Sequence, residues 1–364
     1  MRATIKVLIV DDSALIRQML TRALSVDPRI EIVGVAKTGV EAIEKARDLD
    51  PDVITLDIEM PELTGLEALP HISKSSSARV LMLSTLDDPD TTYQALHSGA
   101  IDFINKPKGG FASSISDLSE LLLKKIRTAY RIDPTRVTEA RDAILAPLSE
   151  PAEGDDVPES PHEEASWGGS EKPTTMIAVA ASTGGPPALE RVFQGLSASL
   201  PAAYVVVQHL PAGFSASLAH RLDSVGDVNV VEAQDGMYIE RGKAFLAPYG
   251  MHMTVRRGAA GPEIKLEAGQ SVHGVQPAAD PLFDSVASVF KDRSVGVVLT
   301  GMGADGADGL CAIKAVGGDT IAQNEETSVV WGMPGAAMRV GAVRHVVPIG
   351  LIAAEIRRTM RRAV

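Results

Sequence analysis

The sequence predicts two α/β domains built on parallel sheets and joined by an acidic linker. Short β-branched apolar runs alternate with amphipathic helical patterns over the first 125 residues, and the same alternation restarts at residue 176. The segment between them is rich in Pro, Glu, Asp, Gly and Ser, so it buries too little apolar surface to fold. Strand–helix alternation favours parallel sheets with right-handed crossovers. We assign residues 1–126 and 173–364 to the domains and 127–172 to a flexible linker, with a short helix expected around 135–146.

Five apolar runs predict the strands of the first domain, because strands that are buried on both faces are almost continuously apolar. Helical patterns such as SALIRQMLTRALS (13–25) and GVEAIEKARDLD (39–50) separate them. The five predicted strands are IKVLIV (5–10), EIVGVA (31–36), DVITLD (52–57), RVLMLS (79–84) and DFINKP (102–107).

Three further runs predict buried strands of a doubly wound, Rossmann-like sheet in the second domain. They are MIAVAA (176–181), AYVVVQH (203–209) and VGVVLTG (295–301). Between the last two, AFLAPYGMHMTVRRG (244–258) and PEIKLEAG (262–269) predict a β-hairpin inserted into the α/β frame.

Composition excludes several classes of protein. A net charge of −12 over 364 residues disfavours binding to the nucleic-acid backbone. One Cys excludes a disulfide framework and a multi-Cys zinc site. No apolar run reaches the ~18 residues of a membrane span, and the acidic pair at position 11 interrupts any signal peptide. We therefore expect a cytoplasmic protein that neither binds nucleic acid nor inserts into a membrane.

Polar groups with related chemistry end the strands of the first domain. Asp11 and Asp12 follow the first strand, and the third ends in Asp57. Ser84 and Lys106 end the fourth and fifth. The carboxyl ends of parallel strands form a crevice, in which clustered carboxylates need a compensating cation such as Mg²⁺. Acidic loop ends could serve solubility alone, but the whole set predicts phosphoryl transfer, with Asp57 as the nucleophile and Lys106 neutralising phosphoryl oxygens.

These residues, with the run DIEMPELTG (57–65) and Lys106-Pro107, resemble a response-regulator receiver domain over about residues 4–125. The resemblance implies a flavodoxin-like (βα)5 fold, phosphorylation of Asp57 by a histidine kinase, and a switch formed by Ser84 and Phe103 together with Lys106. It also implies a Mg²⁺ site. The implied ligands are Asp12, Asp57 and the backbone carbonyl of Glu59, with Asp11 acting through water.

A serine, a histidine and an aspartate follow three strands of the second domain. Ser182 comes directly after one strand and before a Gly-Gly-Pro-Pro turn, His209 ends the next, and Asp305 lies in a Gly-rich turn after a third. In a parallel sheet all three reach one crevice, which predicts acyl transfer with Ser182 as nucleophile, His209 as base and Asp305 orienting the imidazole. Ser182 as a helix cap, a phosphate-binding STGG turn and a calcium-binding GADGADG loop (303–309) are alternatives. The last two lack their full motifs.

Four segments of this domain resemble the chemotaxis protein-glutamate methylesterases, whose catalytic domain also lies behind a receiver. The segments are ASTGGPPAL (181–189), QHLPAGF (208–214), LTGMGADGADGL (299–310) and NEETSVVWGMPGAA (324–337). The resemblance implies that Ser182, His209 and Asp305 form the triad and that Thr183 and Met302 lie on its oxyanion side. It implies hydrolysis of glutamate γ-methyl esters on methyl-accepting chemoreceptors, deamidation of glutamines as a second activity, and no cofactor in the esterase domain.

The segment 276–280 reads Gln-Pro-Ala-Ala-Asp where the family usually has Arg-Pro-Ser-Val-Asp. This difference leaves open whether the segment contacts substrate or packs against the protein. Two other functions stay open: an adaptor that binds receptors without turnover, and a receiver with a nucleotide-binding output domain. The simplest regulatory hypothesis is that the unphosphorylated receiver covers the Ser182 crevice. His252, Cys311 and Trp331 are interpreted as structural.

Overall fold

The computed structural model describes residues 4–84, 89–106, 114–147 and 172–362. They form two compact units, one built mainly from residues before 143 and the other mainly from residues after it. The first contains a five-stranded sheet and the second a seven-stranded sheet, and every strand pair within these two sheets is parallel. The predicted fold class is therefore confirmed.

The first unit alternates strand and helix five times, as the sequence predicts. Its elements are β1 (Ile5–Val10), α1 (Ala14–Leu24), β2 (Ile30–Ala36), α2 (Gly39–Leu49), β3 (Val53–Asp57), α3 (Gly65–Ser75), β4 (Arg79–Ser84), α4 (Pro89–His97), β5 (Asp102–Asn105) and α5 (Ser114–Arg131). The strand order is β2-β1-β3-β4-β5, so β1 and β3 are interior neighbours and their carboxyl ends lie side by side.

Hydroxyl side chains begin three of these helices by accepting a backbone N–H that has no partner within the helix. Ser13 caps α1 and Thr38 caps α2. Thr64 caps α3 in a capping box with Glu67, whose carboxylate accepts the Thr64 N–H at 2.9 Å. Each cap contributes about 1 kcal/mol. The capping box also fixes the segment that leads from Asp57, at the end of β3, into α3.

Helical order continues beyond residue 126. The helix α5 ends at Arg131, and α6 (Pro134–Leu145) follows, close to the short helix expected at 135–146. Arg79 donates to the carbonyls of Tyr130 and Ile132 and so holds the end of α5 against β4. Residues 148–171 of the predicted linker lie outside the described residues, as does Pro107 of the fifth predicted strand.

The second unit is a doubly wound sheet with an inserted hairpin. Its elements are β6 (Thr175–Ala181), α7 (Gly185–Gln194), β7 (Ala202–Gln208), α8 (Ser215–Val225), β8 (Asn229–Glu232), β9 (Lys243–Leu246), β10 (His252–Arg257), β11 (Pro262–Glu267), α9 (Ala279–Phe290), β12 (Ser294–Val298), α10 (Ala307–Ala315), β13 (Asp319–Gln323), α11 (Met333–Arg339), β14 (His345–Val347) and α12 (Ile352–Arg362).

The strand order places β6 at a topological switch point. The order is β14-β13-β12-β6-β7-β9-β8, so the chain builds outward from β6 on one side through β7 and later on the other side through β12. Ligands of open α/β sheets bind in the crevice that opens at such a point, outside the carboxyl ends of the strands. The ends of β6, β7 and β12 are therefore the place to look for a site.

The predicted hairpin is present but shorter than expected. Strands β10 and β11 pair antiparallel, with His252 opposite Glu267 and Arg257 opposite Pro262. The start of the predicted hairpin was assigned wrongly, since residues 244–246 belong to β9 in the main sheet beside β7. These residues are buried, as an interior parallel strand requires.

Apolar side chains of α9 cover one face of the seven-stranded sheet. Leu282, Phe283 and Val286 have no exposed surface and belong to the same apolar core as residues of β6 and β7. This packing fixes the start of α9 near the carboxyl ends of the strands. Within the described ranges, no helix combines the length and apolarity needed to cross a membrane.

We predict that Gly65→Ala destabilises the first unit by about 2–4 kcal/mol, because overpacking against rigid backbone cannot relax easily. A Cβ on Gly65 would lie 1.8 Å from the backbone oxygen of Asp57. The measurement is the unfolding free energy of the first unit in the full chain, from urea dependence of hydrogen exchange. Gly34→Ala is the control, since its Cβ would first meet the mobile end of the Leu49 side chain. Equal effects of the two substitutions would contradict the prediction.

Candidate functional site

Ser182 is the first residue after β6, in the turn that leads into α7. Its N–H donates to the carbonyl of Thr300 at 3.0 Å, and its own carbonyl accepts the N–H of Gly185 at 2.7 Å. These two bonds hold the turn against the residues that follow β12. The Ser182 hydroxyl itself makes no hydrogen bond to any described residue. It is therefore available to a substrate or to a neighbouring base.

His209 lies beside Ser182 on the adjacent strand. The β6–β7 register pairs Ala181 with Gln208, so Ser182 and His209 occupy the next opposed positions, and the His209 N–H donates to the Ala181 carbonyl at 3.1 Å. Adjacent strands are about 4.8 Å apart. The predicted neighbourhood of hydroxyl and imidazole thus follows from sheet register alone.

The His209 imidazole donates from Nε2 to Asp305 Oδ2 at 2.8 Å. A carboxylate only accepts hydrogen bonds, so this bond assigns the proton of the neutral ring to Nε2 and leaves Nδ1 as the basic atom. The side chain of His209 is largely buried, with 11% exposed. The imidazole of His209 is therefore held in one orientation, with the lone pair on Nδ1.

Asp305 follows β12 in the turn before α10 and is almost fully buried. Besides His209, two backbone amides donate to it: Ala279 N–H to Oδ2 at 2.7 Å and Asp280 N–H to Oδ1 at 3.1 Å. Burial alone would raise the pKa of Asp305, but the bonds from His209 and these amides outweigh it and lower the pKa below its usual value. Asp305 therefore stays ionised, as a group that stabilises an imidazolium must.

Two buried polar residues of this site were missed by the sequence interpretation. Gln208 donates from Nε2 to the carbonyls of Ser182 at 2.9 Å and His209 at 3.2 Å, and so ties the two strand ends together. The Thr300 hydroxyl donates to the Thr183 carbonyl at 3.0 Å and accepts the Val330 N–H at 3.0 Å. A glutamine ending the otherwise apolar strand AAYVVVQ was the available signal for the first.

Thr183 and Met302, which are expected on the oxyanion side, are each the chain neighbour of a residue in the turn region after β6 and β12. Thr183 is buried next to Ser182, and Met302 follows Gly301, which packs directly on Ser182. A Cβ on Gly301 would lie 2.8 Å from Ser182 Cβ, so only glycine allows this approach. Thr183 and Met302 are thus adjacent in the chain to Ser182 and to Gly301, the residue that approaches Ser182 most closely from the turn after β12.

The 276–280 segment, for which substrate contact and packing were both open, is buried at its end. Pro277, Ala278 and Ala279 are inaccessible or nearly so. The N–H of Ala278 donates to Nδ1 of His252 at 3.2 Å, so His252 contacts the chain just before α9. Packing against the site is thus its main contact within this chain.

The acidic cluster of the first unit assembles as predicted around a lysine. Lys106 Nζ lies 2.9 Å from Asp11 Oδ2 and 2.6 Å from Asp57 Oδ2. Asp11 and Asp57 are buried, whereas Asp12 is exposed. Arg17 donates to the carbonyls of Asp11 and Asp12 at 2.8 and 2.9 Å and fixes the turn that presents them. In both units, therefore, polar residues that follow different parallel strands lie close together, as the strand order requires.

Burial raises the pKa of Asp57 to about 6, against the lowering effect of Lys106, and the charges of Asp11 and Asp12 add to the increase. Burial by itself would lower the pKa of Lys106, but its hydrogen bonds to Asp57 and Asp11 raise it above the usual value. Lys106 thus remains a cation, while the pKa of Asp57 depends on the charges close to it.

A divalent cation fits this cluster by donor chemistry. One oxygen each of Asp11, Asp12 and Asp57 can be chosen within 4.8 Å of one another, and hard oxygen donors are what Mg²⁺ prefers. A cation here would also relieve the mutual repulsion that helps to raise the pKa of Asp57. Glu59, whose carbonyl is an expected ligand, follows Asp57 by two residues and is exposed.

The expected switch residues are both buried. The Ser84 hydroxyl hydrogen-bonds the Thr92 hydroxyl at 2.6 Å, and the Lys106 N–H donates to the Ser84 carbonyl at 2.8 Å. Phe103 is 2% exposed, so its ring is already turned inward. Ser84 would have to exchange its bond with Thr92 for one with a phosphoryl group.

Comparison with known families finds a match in each of the two units. Residues 7–110 match the family model described as response regulator receiver domain, and residues 177–356 match the model described as CheB methylesterase. The second match contains Ser182, His209 and Asp305.

Similar proteins extend over nearly the whole chain. The protein-glutamate methylesterase/protein-glutamine glutaminase of Pyrococcus horikoshii is 43% identical over 95% of this chain and 90% of its own, and that of Symbiobacterium thermophilum is 42% identical over 98% and 97%. The crystal structure of the Thermotoga maritima CheB methylesterase catalytic domain is 36% identical and covers 50% of this chain and 97% of that one, with a TM-score of 0.50.

We predict that Asp57 titrates near pH 6 in metal-free protein and that Lys106→Met moves its midpoint higher. Removing a cation 2.6 Å away disfavours the carboxylate, so the acid form persists to higher pH. The measurement is carboxyl-carbon NMR of the full chain. Lys45→Met is the control, because Lys45 pairs with Glu41 outside the cluster. An Asp57 midpoint near 4, unmoved by Lys106→Met, would contradict this assignment.

Proposed function

Because the chain belongs to the CheB methylesterase family and carries a response-regulator receiver domain, we propose that it hydrolyses glutamate γ-methyl esters on chemoreceptors to glutamate and methanol. Deamidation of specific glutamines is the second proposed activity, as the names of its relatives indicate for them. The proposed partners are methyl-accepting chemoreceptors as substrate and a chemotaxis histidine kinase as phosphodonor.

One observation carries the proposed esterase function. The buried, ionised Asp305 accepts the Nε2 proton of His209 at 2.8 Å, and His209 is the strand neighbour of Ser182. A carboxylate that orients an imidazole beside an otherwise unbonded hydroxyl is the arrangement that activates a serine nucleophile. Neither a helix cap nor a phosphate-binding turn requires the histidine and the aspartate.

In the proposed acylation step, Ser182 Oγ attacks the ester carbonyl carbon while its proton passes to His209 Nδ1. The carbonyl oxygen becomes an oxyanion, for which the amides at Thr183 and Met302 are the proposed donors. Asp305 stabilises the imidazolium that forms. The tetrahedral intermediate then collapses, the C–O bond to the methoxy group breaks, and His209 returns the proton to give methanol.

Deacylation repeats the same chemistry with water. His209 takes a proton from water, the hydroxide attacks the acyl-enzyme, and Ser182 leaves with the proton that His209 returns. A γ-carboxylate of glutamate is released. A glutamine side chain would follow the same path with ammonia as the first leaving group.

In the receiver, Asp57 is the proposed phosphoacceptor. Mg²⁺ held by Asp12, Asp57 and the Glu59 carbonyl, with Asp11 acting through water, would neutralise phosphoryl oxygens during transfer. Lys106 already lies 2.6 Å from Asp57 and would follow the phosphoryl group, which carries more charge than the carboxylate it replaces. Ser84 and Phe103 are the proposed switch. The consequence proposed for the catalytic domain is a rise in esterase activity.

We predict that Ser182→Ala abolishes methanol release from a methylated chemoreceptor cytoplasmic domain, lowering the rate by about 10⁴-fold or more, because the nucleophile is lost. The measurement is methanol released by the full chain. Ser199→Ala is the control, since Ser199 lies on the surface between α7 and β7. Receptor binding without methanol release from the unmodified chain would favour the adaptor function instead.

We predict that a small phosphodonor with Mg²⁺ raises methanol release by the unmodified chain about 5–150-fold and has no effect on Asp57→Ala. The variant lacks the carboxylate that forms the acyl phosphate, but it keeps the esterase residues. Its basal rate should therefore remain. Stimulation of Asp57→Ala equal to that of the unmodified chain would place phosphorylation elsewhere.

A further inference from the structure

The start of α9 determines where the Asp305 carboxylate points. The first two helical N–H groups, those of Ala279 and Asp280, each donate to one of its oxygens, at 2.7 and 3.1 Å. Unpaired N–H groups at a helix start favour a negative charge. The imidazole of His209 donates to the same carboxylate, and this bond orients the ring. A small shift of the first turn of α9 would therefore move both Asp305 and the imidazole.

The Asp280 side chain anchors this first turn. Its carboxylate is 7% exposed; Oδ1 accepts the N–H of Gly309 on α10 at 2.7 Å, and Oδ2 accepts Nε2–H of His273 at 2.7 Å. Burial raises the pKa of Asp280, against the lowering effect of the bonds from Gly309 and His273. Asp280 thus ties α9 to α10 and to the turn that carries His273.

His273 occupies a position that its backbone conformation does not favour. Val272 and Val275 close a tight turn with reciprocal hydrogen bonds of 3.2 and 3.0 Å, and the two residues between them, His273 and Gly274, have φ of +54° and +73°. Turns with two positive φ values prefer Asn, Asp or Gly at the first of these positions. The turn alone does not explain a histidine there, whereas its bond to Asp280 does.

The alternative that these residues form a metal site is less consistent with their hydrogen bonds. One ligand atom each of His273, Asp280 and Asp305 can be chosen within 4.8 Å of one another. However, every carboxylate oxygen of Asp280 and Asp305 already accepts an N–H from this chain. The hydrogen bonds of the two carboxylates therefore account for their arrangement without a metal ion.

We propose that His273 and Asp280 are positioning residues, which hold the first turn of α9 so that its amides fix Asp305, and through it His209, in the reactive geometry. The inference rests on the proposed esterase function. The charged groups around Asp280 are His273 on the turn, Asp305 and through it His209 at the strand ends, and the exposed Asp284 on α9 and Asp308 on α10.

His273→Asn tests the contact without disturbing the turn. Asparagine suits the positive φ, but its shorter side chain ends short of Asp280. We expect kcat for methanol release by the full, phosphodonor-treated chain to fall about tenfold with KM unchanged, below the ~10²-fold that a 1 Å misplacement can cost. Thermal unfolding measured in parallel establishes that the variant is folded at the assay temperature.

Asp280→Asn tests the charge. Its side-chain oxygen still accepts the Gly309 N–H, but its amide nitrogen would face the Nε2–H donor of His273, so the bond to His273 is lost together with the anion close to Asp305. The imidazolium that forms at low pH is then less stabilised, so the acidic limb of the kcat/KM profile moves to lower pH, by roughly half a unit. A residue with only a structural role would lower the rate without moving this limb.

His345→Asn is the matched control, because His345 also pairs with a carboxylate, Glu355 at 3.1 Å, but on β14. It should leave kcat and the pH profile unchanged. If His273→Asn and Asp280→Asn behave like His345→Asn while the unmodified chain releases methanol and Ser182→Ala does not, the positioning role is overturned. If the unmodified chain and Ser182→Ala release methanol equally, the esterase function itself has failed.

Discussion

A negative charge removed from water needs hydrogen-bond donors, and the catalytic unit is organised around supplying them to Asp305. Its carboxylate receives one N–H from His209 and two from the start of α9. These donors come from two places: the residue that follows β7 and the first turn of a helix packed on the sheet. The contacts of Asp305 therefore depend on the correct placement of β7, β12 and α9 relative to one another.

Two equally buried aspartates illustrate how neighbours decide what a carboxylate does. Asp57 and Asp305 are each 2% exposed. The pKa of Asp57 is raised to about 6, because burial and two nearby carboxylates outweigh one lysine. The pKa of Asp305 is lowered, because three N–H donors outweigh burial. The first suits the role proposed for Asp57, which is to accept a cation and a phosphoryl group, and the second suits the role proposed for Asp305, which is to remain an anion during the reaction.

Much of this arrangement could be predicted from sequence, since the parallel-sheet rule converts strand ends into neighbours. It brought Asp11, Asp57 and Lys106 together in one unit, and Ser182 with His209 in the other. The parallel-sheet rule does not help where the sequence has no side-chain pattern that identifies a strand or a contact. Residues 244–246 were assigned to the hairpin because a short buried strand resembles a hairpin arm. The amides of Ala279 and Asp280 leave no signature in sequence, and neither does the path that brings His273 to Asp280.

The inserted hairpin is hydrogen-bonded to α9, the helix whose first turn contacts Asp305. The first residue of β10, His252, accepts the N–H of Ala278 immediately before α9, and the N–H of Val255 on the same strand donates to Ser285 Oγ on that helix at 2.9 Å. The hairpin therefore holds α9 at two points, one just before the helix begins and one at Ser285 within it. An evolving lineage could vary its tip freely but could not discard its base, because loss of this brace would loosen a helix whose first turn orients the Asp305 carboxylate.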